Sequence, residues 1–499
     1  MRRIKKLLVI CIAIILMADM LIPKGAYCIS IGEEETLSHE FMKMVLKNYK
    51  LIKDPIIAGY VEDIGQKLVS TLPPQPFTYH FYVIREDAYN AFAAPAGHIF
   101  INSGLFEAME DESELAGILA HEIAHSVCRH ISQKIERSSK IGLLTLAGLV
   151  AGILLGVGGG SGAAANALSV GSAAAGQSLS LAYSREDERQ ADQLGVKYLS
   201  AAGYNLQGLT LILKKIRNKQ WYGSDQIPTY LMTHPAVEER IVYLSDYSKK
   251  ADGEEKKVCR EFQKAHNRLI AVYGDKDMAL KRFEAEVHKQ PENAMTHYGY
   301  GLILARTGNR RDAIVHLKKA LEDNAFDPYV LADIGQTYFL DGRYQEAIRA
   351  LEGAVSIESE NPDGLFFLGR TQMKLENFEA ATRTFEKLLE KHQDDKRAFY
   401  FLGEAYGKQN KLGDAHYYLG RHYKEKRDLK NAMFHLRKAL AHTTDPEKKL
   451  RIEEMLKETK EKAEKMQKEM RKKEHGLRQL QGLTIRKGFF SSPSYSQSL

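Results

Sequence analysis

Hydrophobic and polar positions follow three successive patterns along this chain. An apolar run opens it, residues 29 to about 250 mix strand-like and helix-like stretches, and from about 260 only helical periodicity remains. Phe77 to Arg85, aromatic and β-branched, reads as a strand. His98-Ile99-Phe100-Ile101-Asn102, bounded by Gly97 and Ser103-Gly104, reads as a second. A helix is expected to begin near Asp111 to Ser113, with acids in its first turn and Leu115, Ile118 and Leu119 on its apolar face. Ile141 to Val157 is a run of 17 residues without charge, followed by a Gly/Ala/Ser-rich stretch to about Ser180. Its length is the low edge for a bilayer span, so the expectation is a buried or membrane-touching helix plus a mobile loop.

The helical part repeats. Gly301, Gly335, Gly369 and Gly403 are spaced by 34, and Ala313, Ala347, Ala381 and Ala415 keep that period, as do Leu317, Leu351, Phe385 and Leu419. A weaker copy precedes them, with Gly274, Ala279, Phe283 and Pro291 in matching positions and Asn267 in place of the first Gly. Small residues at fixed offsets let paired helices approach, while large apolar ones fill the groove to the next pair. The pattern resembles the tetratricopeptide repeat. Gly420, Ala432 and Leu436 recur only 17 residues after Gly403, Ala415 and Leu419, so one helix near Asp414 to Tyr423 serves two successive units. A charged helix over 446–475, with Ile452, Leu456, Ala463, Met466 and Met470 on one seam, is expected to cap the last repeat. The tail from Gly476 reads as mobile.

Composition narrows the setting. At 499 residues the chain calls for two or three domains, and 44% hydrophobic residues can build their cores. Arg2, Arg3, Lys5 and Lys6, then apolar Leu7 to Met17, then Ala26-Tyr27-Cys28 form the three parts of an export signal. An uncleaved inner-membrane anchor is the alternative, because the apolar stretch reaches Ile22 with Asp19 as its one interruption. Five of the 71 basic and one of the 64 acidic residues lie in this segment, leaving 66 against 63. Such a balance gives no reason to invoke nucleic acid. Cys128 and Cys259 would remain after cleavage, and their pairing stays open.

The candidate chemistry begins at His121-Glu122-Ile123-Ala124-His125. Helical residues four apart share a face, so both imidazoles can address one metal, while Glu122 is placed to act on a water rather than on the ion. A third histidine six residues after His125 would complete one ligand scheme, but Ile131 stands there and Cys128 where that scheme needs Gly. His130, five residues on, is expected to face elsewhere as a surface residue. A second scheme draws a carboxylate from a later helix: in Ser184 to Asp192, Glu188 and Asp192 fall on one face. Glu188 would be the third ligand and leave one tetrahedral corner to water. Asp192 would orient a ligand imidazole through its second nitrogen. A solvated helix start is the plain alternative for this acidic cluster.

Asn90-Ala91-Phe92-Ala93-Ala94-Pro95, Gly97 to Ile101, Asp111 to His125 and Ser184 to Asp192 together resemble the peptidase family of HtpX and the CAAX prenyl endopeptidases. With a leader in front and helical repeats behind, the chain is most similar to the soluble periplasmic BepA-type branch. The resemblance implies an α+β zincin-like metallopeptidase domain, mostly helical with a small sheet, then an all-α tetratricopeptide-repeat solenoid. The boundaries would be 1–28 signal peptide, 29–250 peptidase, 251–259 linker, 260–441 solenoid, 442–475 cap and 476–499 tail. It implies one Zn²⁺ per chain on His121, His125 and Glu188, with Glu122 as general base and Asp192 behind a ligand. It also draws in His234 and Arg240, from Thr233-His234-Pro235 and Glu239-Arg240. There a histidine resembles an inhibitory ligand in the open metal position, or a histidine and an arginine resemble oxyanion-stabilising groups; a helix cap is the bland alternative. His98, Ile99, Phe100 and Ile101 are expected to form an edge strand that binds substrate by β-addition. The implied work is endoproteolysis of misfolded or stalled envelope proteins in the periplasm. The repeats would recruit protein clients or outer-membrane assembly proteins, with peripheral membrane contact. An assembly chaperone or scaffold with a latent or structural metal site is the alternative.

Overall fold

Ser30 and Glu33 open the first helix, α1 (Ile31–Asn48), by a reciprocal capping box. The apolar stripe Leu37, Phe41 and Val45 of α1 packs on Ile84, Phe92 and Phe100, the face of a small sheet. The sheet comprises β1 (Leu51–Ile52), β2 (His80–Ile84), β3 (Ala91–Ala94) and β4 (His98–Asn102) in the order β1-β2-β4-β3. β2 and β4 run parallel, and β4 pairs antiparallel with β3. Register places Tyr82, Phe100 and Phe92 in one row, and their rings stack at 4.8 and 4.9 Å. The alternate row turns Phe81, Ile99 and Ala93 to the opposite face. There α2 (Pro55–Val69) meets it, and a Cβ on Gly65 would fall 2.4 Å from the Phe81 ring.

The remaining elements here are α3 (Ser103–Glu107), α4 (Glu112–Val127), α5 (His130–Arg137), α6 (Arg185–Ala201), α7 (Gln207–Tyr222), α8 (Thr229–Thr233) and α9 (Val237–Lys249), followed by α10 (Arg260–Tyr273) and α11 (Lys276–Lys289). The structure, a computed structural model, describes residues 29–137, 182–222, 228–249, 259–393 and 395–487. The expected signal peptide 1–28, the apolar run Ile141 to Val157 and most of the linker 251–259 lie outside the described residues. Among the described residues no helix is long and apolar enough to cross a membrane, and Cys128 and Cys259 are free thiols.

Two compact units emerge, Met1–Ile303 and Leu304–Leu499. Helix α10, placed with the solenoid by its periodicity, packs on α2 and α3 within the first of these units. From α10, Arg268 pairs with buried Asp54 at 2.7 Å, His266 bonds the Glu107 carbonyl oxygen, and Phe262 lies against Tyr60 and Phe106. The solenoid continues through α12 (Ala294–Thr307), α13 (Arg310–Lys319), α14 (Pro328–Leu340), α15 (Tyr344–Ile357), α16 (Pro362–Lys374), α17 (Phe378–Lys391), α18 (Ala398–Lys408), α19 (Leu412–Glu425), α20 (Leu429–His442) and α21 (Pro446–Lys487). Periodic glycines receive the large side chain of a partner helix: a Cβ would lie 2.4 Å from Leu351 at Gly335 and 2.7 Å from Phe385 at Gly369. Helix α19 takes part in two such pairs, as Gly403 meets its Leu419 and its own Gly420 meets Leu436.

Three expectations change. The strand expected over Phe77 to Arg85 is only His80–Ile84. β4 is interior, paired on both sides, so His98, Ile99, Phe100 and Ile101 have no free edge for β-addition; the edge beside them is β3. The terminal helix caps with Ile452, which packs on Leu436 and Ala439, but Met466 and Met470 are 45% and 58% exposed. It also runs beyond Gly476 to Lys487, because nothing there breaks the helix.

Phe385 is fully buried against Gly369, with Phe366 and Phe401 around it. Phe385→Ala should destabilise the solenoid by about 3–5 kcal/mol. Urea unfolding should show an earlier solenoid transition with metal binding by the first unit unchanged.

Candidate metal centre

Asp111 caps α4 by accepting from the Ser113 and Glu114 backbone N–H groups, and the helix then runs through its two histidines. His121, Glu122 and His125 are each at most 1% exposed. Ser184 caps α6 through a box with Asp187. The acidic stretch divides at this point: Glu186 and Asp187 serve the helix start, whereas Glu188 and Asp192 are buried against α4. Close approach depends on Gly195, where a Cβ would already sit 3.3 Å from the His121 backbone nitrogen. A larger residue would push apart the two helices that carry the site.

His121 Nε2 and His125 Nε2 lie 3.0 Å apart, and Glu188 oxygens stand 3.6 and 3.4 Å from them. Zn–N and Zn–O bonds of about 2 Å in tetrahedral geometry require donors about 3.3 Å apart. The spacing fits. His234 joins the same group, in which one donor atom from each of the four residues lies within 4.8 Å of the others. Its Nδ1 is 2.9 Å from Thr233 Oγ1, its ring stacks on Tyr230 at 4.1 Å, and its Nε2 faces Glu122 at 3.5 Å. Glu122 lies beside the donor group and outside it.

Asp192 Oδ1 is 2.9 Å from His121 Nδ1, the nitrogen turned away from His125. The Arg240 guanidinium donates to both Asp192 oxygens at 2.8 Å and pairs with Glu188 through Nη1. Tyr243, one turn along α9, donates to Asp192 as well. His130 was expected at the surface; it is 3% exposed, and its Nδ1 lies 2.8 Å from His125 Nδ1. The helical face expected of it fails because α4 ends at Cys128 and Arg129 turns the chain with φ at +53°. Tyr183, stacked on His125 at 3.9 Å, and Tyr230 gave no sequence signal, since both arrive from segments remote from the motif. Tyr243 could have been found three residues after Arg240, on the same helical face.

Burial dominates the electrostatics. It pushes Glu122 up to about 8, against the pull of Arg240, and Glu188 well above the usual carboxylate range. Burial and the nearby Arg240 bring His121 down to about 4. Burial and neighbouring His121 hold His125 and His234 far below the usual imidazole range. Asp192 is also buried, yet Arg240 and His121 keep its carboxyl well below the ordinary value. Three buried carboxyl groups thus face one buried guanidinium, and a divalent cation would supply the charge that favours ionised Glu122 and Glu188. Glu188 Oε1 and His234 Nε2 are buried without a hydrogen-bond partner. Neutral imidazoles and a carboxylate with these orphaned atoms fit a divalent metal of the zinc type.

Residues 55–248 match the model for peptidase family M48, and residues 274–328, 304–363 and 338–402 match tetratricopeptide-repeat models. The putative beta-barrel assembly-enhancing protease of Vibrio cholerae is 29% identical over 61% of this chain and 64% of its own length. The beta-barrel assembly-enhancing protease of Escherichia coli is 27% identical over 65% of this chain and 67% of its own. The mitochondrial metalloendopeptidase OMA1 of Saccharomyces cerevisiae is 30% identical over 33% of this chain and 44% of its own. The chain thus spans about two thirds of the length of the assembly-enhancing relatives.

In a chain that also carries His234→Ala, Glu188→Ala should reduce bound metal from about one ion per chain to near zero, because two imidazoles alone hold such an ion weakly. Metal analysis of the purified protein checks this, and a variant as fully loaded as the parent would remove Glu188 from the ligand set.

Proposed function

From a chain that joins an M48 peptidase domain to tetratricopeptide repeats, we propose a zinc-dependent endopeptidase exported to the bacterial periplasm. Its clients are misfolded or stalled outer-membrane proteins, and the repeats recruit them or the machinery that assembles them. One observation carries the catalytic part: His121, His125 and Glu188 converge at tetrahedral spacing with Glu122 beside them and outside the donor group. The periplasmic setting and the client class are supported by the opening segment of the sequence and by the assembly-enhancing relatives.

His121, His125 and Glu188 would hold the ion. When bound, Zn²⁺ supplies a Lewis acid that polarises a peptide carbonyl and lowers the pKa of water toward 7. Glu122 takes the proton from the attacking water and passes it to the leaving amine nitrogen. Asp192 fixes the His121 ring, and Arg240 keeps Asp192 ionised and Glu188 in place. With its guanidinium committed to two carboxylates, Arg240 serves as a positioning residue here rather than as a free oxyanion donor.

His234 favours a second, regulatory reading of the same site. Its imidazole lies within the donor group, where it would fill the corner a reacting water needs. The protein is then latent until the Thr229–His234 segment withdraws.

Glu122→Gln should lower peptide hydrolysis by roughly 10²–10⁴-fold while zinc content stays at the parental level. Retained hydrolysis would exclude Glu122 as the base, and an assembly phenotype untouched by this variant would favour the scaffold reading. His234→Ala should raise hydrolysis at unchanged zinc content. An equal or lower rate would refute latency.

A further inference from the structure

Two imidazoles in this centre need a partner for the nitrogen that faces away from the metal, and the structure supplies two different ones. His121 has the Asp192 carboxylate, itself clamped by Arg240. His125 has another imidazole, His130, at 2.8 Å between the two Nδ1 atoms. With Nε2 of His125 turned toward His121 and Glu188, its Nδ1 must carry the hydrogen. His130 Nδ1 must then accept, so His130 holds its own hydrogen on Nε2. That nitrogen is 3.1 Å from the Gln190 side-chain oxygen, an acceptor in the required place.

We propose that His130 is a positioning residue, which fixes the tautomer and ring orientation of the metal ligand His125 and relays the constraint to Gln190 on α6. The inference rests on the reading of His121, His125 and Glu188 as metal ligands. Three features beyond the short contact support it. His130 is buried, whereas a histidine five residues beyond a helical ligand would ordinarily face away. The chain turns back to deliver it: Arg129 adopts a left-handed conformation that a non-glycine residue holds only when its surroundings enforce it. Buried Glu34 pairs with the Arg129 guanidinium at 2.6 Å, and Arg129 also donates to the Ile29 carbonyl oxygen, so α1 secures the turn. Gln190 stands two residues after Glu188, so the relay ties one metal-bearing helix to the other.

The ring also packs against Tyr183, with centroids 6.1 Å apart, so loss of packing must be separated from loss of the hydrogen bond. His130→Phe keeps an aromatic ring and removes the acceptor. His130→Asn gives up ring packing and offers a side-chain oxygen near the position of Nδ1. Zinc affinity is measured by competition with a chromophoric chelator, using the full chain carrying Glu122→Gln so that self-cleavage does not interfere. Thermal unfolding of the metal-free protein is followed in parallel.

His130→Phe should bind zinc on the order of 10–100-fold more weakly, with little change in metal-free unfolding. His130→Asn should recover most of the affinity. Parental affinity in His130→Phe overturns the proposal, and so does an equal loss in both variants, which would mark a packing role. His121→Ala serves as the control for the site itself. If it binds zinc as tightly as the parent, the ligand assignment fails and the positioning role falls with it. If it loses zinc while His130→Phe does not, the positioning role alone is wrong.

Discussion

The passage of α6 across α4 at Gly195 is the contact on which the rest depends. A hydrogen in place of a side chain lets the helix backbones approach until Glu188 and Asp192 reach His121 and His125. The sequence motif on α4 supplies only two donors, and two imidazoles on one helix make a weak site. A third donor from a second helix makes metal binding conditional on tertiary structure, so holding the metal and holding the fold become one property. α9 completes this arrangement with Arg240, which reaches both carboxylates of α6 from outside the donor set.

Charge explains why so many ionisable groups can be buried together. Removing a carboxylate from water is costly unless an opposite charge accompanies it. Asp192 has Arg240 and Tyr243, and remains the ionised member. Glu122 and Glu188 are driven toward their neutral forms by burial, and Glu188 Oε1 has no hydrogen-bond partner. A divalent ion among them inverts that preference, since the cation becomes the largest local charge. The protein part alone is therefore poorly satisfied in the way a metal site is, and unlike a structural ion-pair network, which closes its own charges.

Much of this was legible in the sequence where one helix decides the geometry. His121 and His125 share a face by spacing, and so do Glu188 and Asp192; the 34-residue period gives the Gly-to-Leu or Gly-to-Phe contacts between paired helices. What escaped depends on where chain segments turn. Helical phase from α4 does not extend to His130, because the helix ends at its cap Cys128 and Arg129 turns the chain. β4 was misjudged as an edge because its apolar residues say that it is a strand, and nothing about its neighbours. Chain order crosses here, with β4 inserted between β2 and β3, and that order follows from three-dimensional packing. Helix α10 shows the same limit: its repeat pattern does not reveal the contacts of Arg268 with Asp54 and of His266 with the Glu107 carbonyl oxygen.

His234 shows how the fold couples access to chemistry. Its donor atom lies within 4.8 Å of those of three residues on two other helices, yet it follows directly on a short helix, α8, which is only five residues long. Thr233 and Tyr230 hold the imidazole by one contact at 2.9 Å and one ring stack, while Ala236 turns the chain with φ at +58° before α9 begins. α9 itself is anchored through Arg240, and the turn that carries His234 is tied to its neighbours by the Tyr183 N–H bond to the Thr233 carbonyl oxygen and the Tyr230 N–H bond to the Tyr89 carbonyl oxygen. The three donors of α4 and α6 and the imidazole of His234 are thus carried by different elements: two long capped helices on one side, and the end of a single helical turn on the other. On the latent reading proposed above, that division lets one histidine close the centre without being part of what builds it.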